Sequence, residues 1–106
     1  MEDNDHILLA HGGGGQLTAE LIGEVILPAL GAAGRQQPGR LTDAAVLELA
    51  GAARTGRVAV TTDSYVVQPL EFPGGDIGKL AVCGTVNDLA VVGAAPRALS
   101  LALVLE

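Results

Sequence analysis

A break made of proline and glycine divides the second half of this 106-residue chain and limits what can fold on either side of it. Before the break, residues 57–67 are rich in Val and Thr, which favour a β-strand. Pro69, Pro73 and the glycine pair after Pro73 interrupt that pattern. Residues 76–92 then contain no proline, and Gly93 follows where a helix would be capped at its C-terminal end. The predicted order is therefore strand, loop and helix.

Polar side chains fall along one face of the predicted helix. At about 100° per residue, one stripe carries Asp76, Lys79, Cys83 and Asn87. Asp88 lies on the next stripe, and most other positions are apolar. A charge among apolar neighbours costs several kcal/mol unless it is paired or binds a metal. These side chains are therefore candidates for chemistry.

The helix also separates two of its carboxylates. Asp76 and Asp88 are roughly 18 Å apart along a continuous helix at 1.5 Å per residue, too far to share one ion held at about 2.1 Å. They must serve different parts of an extended ligand or different sites. Asp63, in the predicted strand, would meet Asp88 if that strand ends beside the second half of the helix.

Simpler structural roles exist for several of these residues. Asp76 follows Pro-Gly-Gly, a position at which Asp commonly caps a helix. Asp63 has the alternative of facing solvent at a strand end, and Asn87 with Asp88 that of capping a helix break. Cys83 is expected to be a small core residue. As the only cysteine, it excludes an intrachain disulfide, a zinc cluster and a CxxC redox pair.

Four consecutive glycines precede the first predicted helix: Gly12, Gly13, Gly14 and Gly15. Such a loop can direct backbone N–H groups towards an anion at the start of a helix. A dinucleotide-binding fingerprint is excluded because Leu17 stands where it requires glycine, and a P-loop because Leu17 and Thr18 stand where it requires Gly-Lys-Ser/Thr. The loop is either a phosphate contact or a flexible turn.

Three further elements follow from the apolar pattern. Residues 17–30 place apolar side chains at helical spacing, and Pro28 is expected to kink or end this helix. Residues 43–50 form a short predicted strand opened by Asp43, whose usual role would be in the turn. Residues 96–106 form a strongly apolar strand.

Composition bounds the class of protein. Hydrophobic residues make up 49% of the chain with one Phe, one Tyr and no Trp, so the single expected domain, 1–106, has an aliphatic core. The acidic N-terminus and the lack of a long apolar run argue against a signal peptide or a membrane partner and place the protein in the cytoplasm. A net charge of −6 argues against a nucleic-acid partner and suits carboxylates neutralised by Mg²⁺.

The predicted strands are apolar on both faces, which requires cover on both sides. Two helices cannot supply that cover. Either a partner subunit completes the sheet, or the chain is the front part of a longer one.

The motifs resemble those of a known family. The likeness rests on TTDSYVVQPLEFPGGDIGKLAVCGTVNDLA, with HGGGGQLTAELI and TDAAVLEL, and points to the N-terminal domain of the HypE hydrogenase expression/formation proteins. HypE is similar to aminoimidazole ribonucleotide synthetase, selenophosphate synthetase and thiamine monophosphate kinase, which share an ATP-binding fold. The resemblance implies an α/β (α+β) domain with a mixed or antiparallel sheet and helices on one face. A second subunit would complete that sheet as a barrel.

The resemblance also implies roles for the candidate residues. The carboxylates that hold Mg²⁺ on the triphosphate of ATP would be Asp43, Asp63 and Asp88. Asn87 and Asp63 would contact the nucleotide, Asp76 and Lys79 would contribute to its turnover, and the four glycines would form a flap on the phosphate side.

The activity implied is the ATP-dependent dehydration of a carbamoyl group carried as a thiocarboxamide on a C-terminal cysteine. Its product, a thiocyanate, supplies the cyanide ligands of nickel-iron hydrogenase. The implied partners are a second copy in a homodimer, the carbamoyltransferase HypF and the HypC-HypD complex. Without the C-terminal domain and its cysteine, the chain alone is expected to be inactive. The alternatives are another ATP-dependent synthetase or kinase of the superfamily, and a non-catalytic dimerisation and docking module.

Overall fold

A computed structural model of the protein describes residues 6–32, 44–48 and 56–105. The chain divides into two compact units, residues 1–47 with 103–106, and residues 48–102. The single domain expected over 1–106 stays a prediction.

The first unit contains a helical segment that follows the glycine loop. A 3-10 turn, Leu9–Gly12, precedes helix α1, Gln16–Leu21. The backbone then widens into a π-helical turn, Ile22–Ile26, and returns to a short α-helix, α2, Leu27–Ala29. Pro28 explains the wide turn, because it has no N–H and its ring crowds the carbonyl group four residues earlier. The predicted helix with a distortion at Pro28 is confirmed.

Gly31 ends this helical segment. Its φ of 57° lies in the left-handed region, and its N–H donates to the carbonyl oxygen of Pro28 over 3.1 Å. On the apolar side of the segment, Leu21 is buried, whereas Leu17 and Val25 are exposed. The apolar stripe is therefore only partly covered.

The second unit contains a short β-hairpin. Strand β1, Glu71–Phe72, pairs antiparallel with strand β2, Gly75–Asp76. Pro73 and Gly74 form the turn between them, and the φ of 93° at Gly74 fits the second central position of a type II turn. The sequence predicts a loop for these residues. The structure shows a regular hairpin instead, because Pro73 and Gly74 fit the two central positions of its turn.

Helix α3, Ile77–Ala90, follows the hairpin directly. Asp76 caps its start, since Oδ1 accepts a hydrogen bond from the backbone N–H of Lys79 over 2.7 Å. The backbone N–H of Ile77 donates to the carbonyl oxygen of Leu70 over 2.9 Å, which ties the helix to the chain before the hairpin.

The C-terminal end of α3 is closed by glycine. Gly93 has a φ of 72°, and its N–H donates to the carbonyl oxygen of Ala90 over 2.9 Å. The N–H of Ala94 donates to the carbonyl oxygen of Leu89 over 3.0 Å. These two bonds define a Schellman motif. The predicted cap at Gly93 is confirmed.

The predicted long strands are not found. Residues 57–67 and 96–105 form no β-ladder within the described residues. A strand needs a neighbouring strand to accept and donate its backbone hydrogen bonds, and none lies beside these segments in the described part. In the first of these segments, Val60 is 84% exposed and Val66 is 93% exposed. Within the described residues, the helices and the antiparallel hairpin agree with the α/β class, and the wider sheet completed by a second subunit stays a prediction.

The predicted strand over 43–50 is described only at 44–48, where no regular structure occurs. Asp43 lies outside the described residues. Across the described residues, the buried hydrophobic side chains are Leu21 and Leu89, and no polar or charged side chain is buried.

Candidate functional site

The chain before the hairpin lies against the second half of α3. The hydroxyl of Thr61 donates to Oδ2 of Asp88 over 3.2 Å, across 27 positions of sequence. The hydroxyl end of the Tyr65 ring lies against Gly84, because a Cβ at Gly84 would fall 2.7 Å from Cζ and 2.8 Å from Cε1 of that ring. The packing required for Asp63 to approach Asp88 is therefore present.

Asp63 lies in sequence midway between these two contacts. Its Oδ1 accepts the backbone N–H of Ser64 over 2.8 Å, which holds the carboxylate close to its own backbone. The side chains of Asp63 and Asp88 are both exposed. The two carboxylates thus belong to segments that are tied together and remain accessible to a ligand.

The described residues contain no group of three or more His, Cys, Asp or Glu side chains that could hold a metal ion. Asp43 lies outside those residues, so the predicted set of Asp43, Asp63 and Asp88 stays a prediction. Mg²⁺ commonly takes one or two carboxylates and completes its coordination with phosphate oxygens and water. The oxygen donors of Asp63, Asn87 and Asp88 fit that chemistry.

The charged side chains are not in apolar surroundings, contrary to the expectation from sequence. Asp63, Asp76, Lys79 and Asp88 are all exposed. Apolar neighbours in sequence lower the local dielectric only if they are packed around the charge, and many of them are exposed here. Cys83 is also exposed, so its assignment to the core is wrong. The other members of its stripe on α3, Asp76, Lys79 and Asn87, are exposed as well.

Asp76 and Lys79 build the junction between the hairpin and α3. Asp76 is the helix cap, and the Nζ of Lys79 donates to the carbonyl oxygen of Gly74 over 2.8 Å. The Lys79 side chain also packs beside Gly75, where an added Cβ would lie 3.2 Å from its Cδ and 3.1 Å from Cε2 of Phe72. Both residues thus have local structural roles, and their part in nucleotide turnover stays a prediction. As their spacing predicted, Asp76 and Asp88 lie at opposite ends of the helix.

The glycine loop is an ordered turn held by Thr18. The hydroxyl of Thr18 donates to the carbonyl oxygen of His11 over 2.7 Å and accepts the N–H of Gly14 over 2.9 Å. The N–H of Gly13 donates to the carbonyl oxygen of Ala10 over 3.2 Å. The amides of Gly13 and Gly14 are therefore engaged within the loop. Phosphate contact by Gly12, Gly13, Gly14 and Gly15 stays a prediction.

Sequence reasoning missed the residues that make these contacts. Thr61, Tyr65 and Thr18 carry no charge, and none of them was singled out within the motifs that contain them. Two signals were present: Tyr65 is the only tyrosine, and Gly84 is a glycine inside a helix, where glycine costs about 1 kcal/mol relative to alanine.

Comparison with known proteins identifies the family. Residues 41–106 match the family model of AIR synthase related proteins, N-terminal domain. The chain belongs to this family. Within it, the chain is 56% identical over 97% of its length to carbamoyl dehydratase HypE of Rhodobacter capsulatus, and 48% identical over 96% to that of Escherichia coli. A putative hydrogenase expression/formation protein of Methanocaldococcus jannaschii is 46% identical over 90% of the chain. The resemblance to HypE found in the motifs is confirmed.

This AIR synthase related chain spans 29%, 30% and 28% of the lengths of those three relatives, respectively. No solved structure was found to match it. Among its described residues, no helix combines the length and the apolar character needed to cross a bilayer.

Proposed function

We propose that this chain is the ATP- and Mg²⁺-binding N-terminal part of a carbamoyl dehydratase that acts in hydrogenase maturation. The names of its relatives support the reaction and the family supports the domain. The observation that carries the proposal is the hydrogen bond of Thr61 to Asp88. It ties the segment that holds Asp63 to the end of α3 that holds Asn87 and Asp88.

In this proposal, Asp63 and Asp88 hold Mg²⁺, with Asp43 as a third carboxylate. When bound, Mg²⁺ neutralises charge on the triphosphate and helps to orient it. Asn87, next to Asp88 on α3, contacts the nucleotide through its side-chain amide in this proposal. The exposure of these side chains leaves them accessible to such a ligand.

Asp76 and Lys79 act on a different part of the nucleotide, at the opposite end of α3. The Lys79 ammonium group donates to the carbonyl oxygen of Gly74. A phosphate oxygen is a stronger, charged acceptor that can replace it. The glycine loop, Gly12–Gly15, is proposed to approach the phosphates through its backbone.

The proposed reaction removes the oxygen of a carbamoyl group carried as a thiocarboxamide on a C-terminal cysteine. An amide oxygen is a poor leaving group, and transfer of the γ-phosphoryl group of ATP to it lets it leave as phosphate. Loss of both amide protons then yields the thiocyanate, ADP and phosphate. Because the chain spans only 29% of the Rhodobacter capsulatus relative, we propose that it does not complete this reaction alone.

An interaction module is the second candidate, and the exposed apolar side chains favour it. Val58, Val60 and Val66 before the hairpin, and Leu99 and Leu101 after α3, are all exposed. We propose that a second copy of the chain covers these side chains in a homodimer. The other partners proposed are the carbamoyltransferase HypF and the HypC-HypD complex.

Substitution of the two carboxylates tests the main proposal. In the intact protein, Asp63→Asn and Asp88→Asn should each lower ATP turnover by about 100-fold or more, because each removes a charge that offsets the triphosphate. Glu71→Gln, the same loss of charge at an exposed position on β1, should leave turnover unchanged. Turnover at the parental rate in both Asp variants would mean that the metal carboxylates are misassigned.

A titration separates the two candidates. The chain should bind a non-hydrolysable ATP analogue in the presence of Mg²⁺ if it is the nucleotide-binding domain. If a dimer forms but binds no analogue, the interaction module is the better account.

A further inference from the structure

Two locally unfavourable features meet where Tyr65 contacts α3. The hydroxyl oxygen of Tyr65 is buried and has no hydrogen-bond partner. A buried hydroxyl left without a partner costs about 1–3 kcal/mol. Gly84, against which this side chain lies, costs a helix about 1 kcal/mol relative to alanine. Each feature destabilises the segment that contains it, so a gain in local stability explains neither of them.

The close approach of the ring to the helix backbone links these features. With alanine at position 84, the added Cβ would lie 2.7 Å from Cζ of Tyr65 and would also meet its hydroxyl oxygen. Contacts under 3.0 Å of this kind require a shift of the side chain or of the segment that carries it. Glycine at position 84 therefore leaves the space in which the hydroxyl end of the Tyr65 side chain lies against α3.

A second contact joins Thr61, four residues before Tyr65, to Asp88, four residues after Gly84. There, the Thr61 hydroxyl donates to Asp88. The segment thus runs antiparallel to α3 and is held at two points. Asp63 lies midway between them in sequence.

We propose that Tyr65 and Gly84 are positioning residues for the carboxylates of Asp63 and Asp88. Their contact sets the distance of the segment from α3, and the Thr61 bond sets its register. This inference rests on the proposed function, because it gives Asp63 and Asp88 a shared ligand. Neither Tyr65 nor Gly84 is expected to touch that ligand.

The test uses Gly84→Ala and two readouts. Binding of Mn²⁺, used in place of Mg²⁺ with a non-hydrolysable ATP analogue, is followed from the electron paramagnetic resonance signal of free Mn²⁺. The contact itself is followed by acrylamide quenching of tyrosine fluorescence, since Tyr65 is the only tyrosine and the chain has no tryptophan. The matched control is Gly23→Ala, where the added Cβ meets nothing within 4 Å.

Gly84→Ala should weaken Mn²⁺ binding by about tenfold or more, as loss of residues that support metal ligands commonly does. It should also increase quenching of Tyr65, while circular dichroism shows that helix content is kept. Gly23→Ala should change neither readout. Adding Tyr65→Leu to Gly84→Ala removes the ring atoms that meet the new Cβ and should restore part of the Mn²⁺ affinity. If Gly84→Ala instead weakened binding by disrupting α3, circular dichroism would show a loss of helix content, and the positioning role would be wrong.

The outcomes separate this inference from the proposed function. If the parent chain binds Mn²⁺ with the analogue and Gly84→Ala binds it equally well, the positioning role is wrong and the proposed function stands. Unchanged Tyr65 quenching in Gly84→Ala would refute the contact itself. If the parent chain binds no Mn²⁺ with the analogue, the proposed function fails and the inference fails with it.

Discussion

Asp76 occupies the N-cap of α3 and accepts the backbone N–H of Lys79 over 2.7 Å. At the scale of a single residue, this bond satisfies an amide that has no partner within the helix. The carboxylate also places negative charge at the positive end of the helix dipole. Asp76 was predicted both as a possible cap and, from the family resemblance, as a residue of nucleotide turnover. The cap is confirmed, and the two roles are compatible.

Substitutions at Asp76 can separate its two roles. Asp76→Ala removes the cap and should lower the free energy of unfolding by about 1 kcal/mol. Asp76→Asn keeps a side-chain oxygen that can accept the Lys79 amide, so stability should be almost unchanged. Urea denaturation measures this difference. If Asp76 also takes part in turnover, Asp76→Asn should lower ATP hydrolysis in the intact protein despite its retained stability. Parental turnover in Asp76→Asn would limit this residue to capping.

At the scale of the element, α3 is specified by signals at both of its ends. Asp76 starts it, and Gly93 ends it with the two hydrogen bonds of a Schellman motif. Between these ends, Lys79 lies near the start of the helix, Gly84 lies against Tyr65, and Asp88 lies in the last turn. The bounds of the helix therefore determine where its candidate site residues lie.

Gly93→Ala tests the C-terminal end of α3. The φ of 72° at this position is unfavourable for any residue with a Cβ, so unfolding free energy should fall by about 1–2 kcal/mol. Fraying of the last turn should speed hydrogen exchange of the Ala94 amide, which donates to Leu89. Gly23→Ala, in the π-helical turn, is the control and should be neutral or stabilising. Equal stability of Gly93→Ala and the parent would argue against the left-handed cap.

At the scale of the whole molecule, the main feature is apolar surface without cover. Within the described residues, the hydrophobic side chains that are fully buried are Leu21 at 6% exposure and Leu89 at 9%. The segments at 57–67 and 96–105 carry many exposed Val and Leu side chains and no β-ladder. Contiguous exposed apolar surface commonly marks a protein interface. This is the physical basis for proposing that a second copy pairs with these segments.

Val60→Lys tests the proposed pairing in solution. The parent chain should sediment as a dimer, and a lysine at this exposed position should shift it towards monomer by placing a charge in the interface. Gln68→Lys adds the same charge at another exposed position and should leave the dimer intact. A monomeric parent would reject the homodimer. A dimer unaffected by Val60→Lys would place its interface elsewhere.

Prediction from sequence worked where the structure depends on neighbours in sequence. The distortion before Pro28, the cap at Asp76 and the end of α3 at Gly93 all follow from the backbone geometry of one or two residues. The strands at 57–67 and 96–106 were predicted from composition, which reports suitability for a sheet but supplies no partner strand. The burial expected for Cys83 and the charged residues failed for a similar reason, because apolar sequence is not the same as apolar surroundings.

The sequence by itself determined the start and end of α3, the distortion near Pro28 and the family, because each depends on residues close together in the chain or on the order of motifs. Only the tertiary structure decided that Tyr65 lies against Gly84 and that Thr61 bonds to Asp88. Those contacts join residues separated by 19 and 27 positions, and packing rather than local geometry selects such pairs. The relation of Asp63 to α3 depends on them.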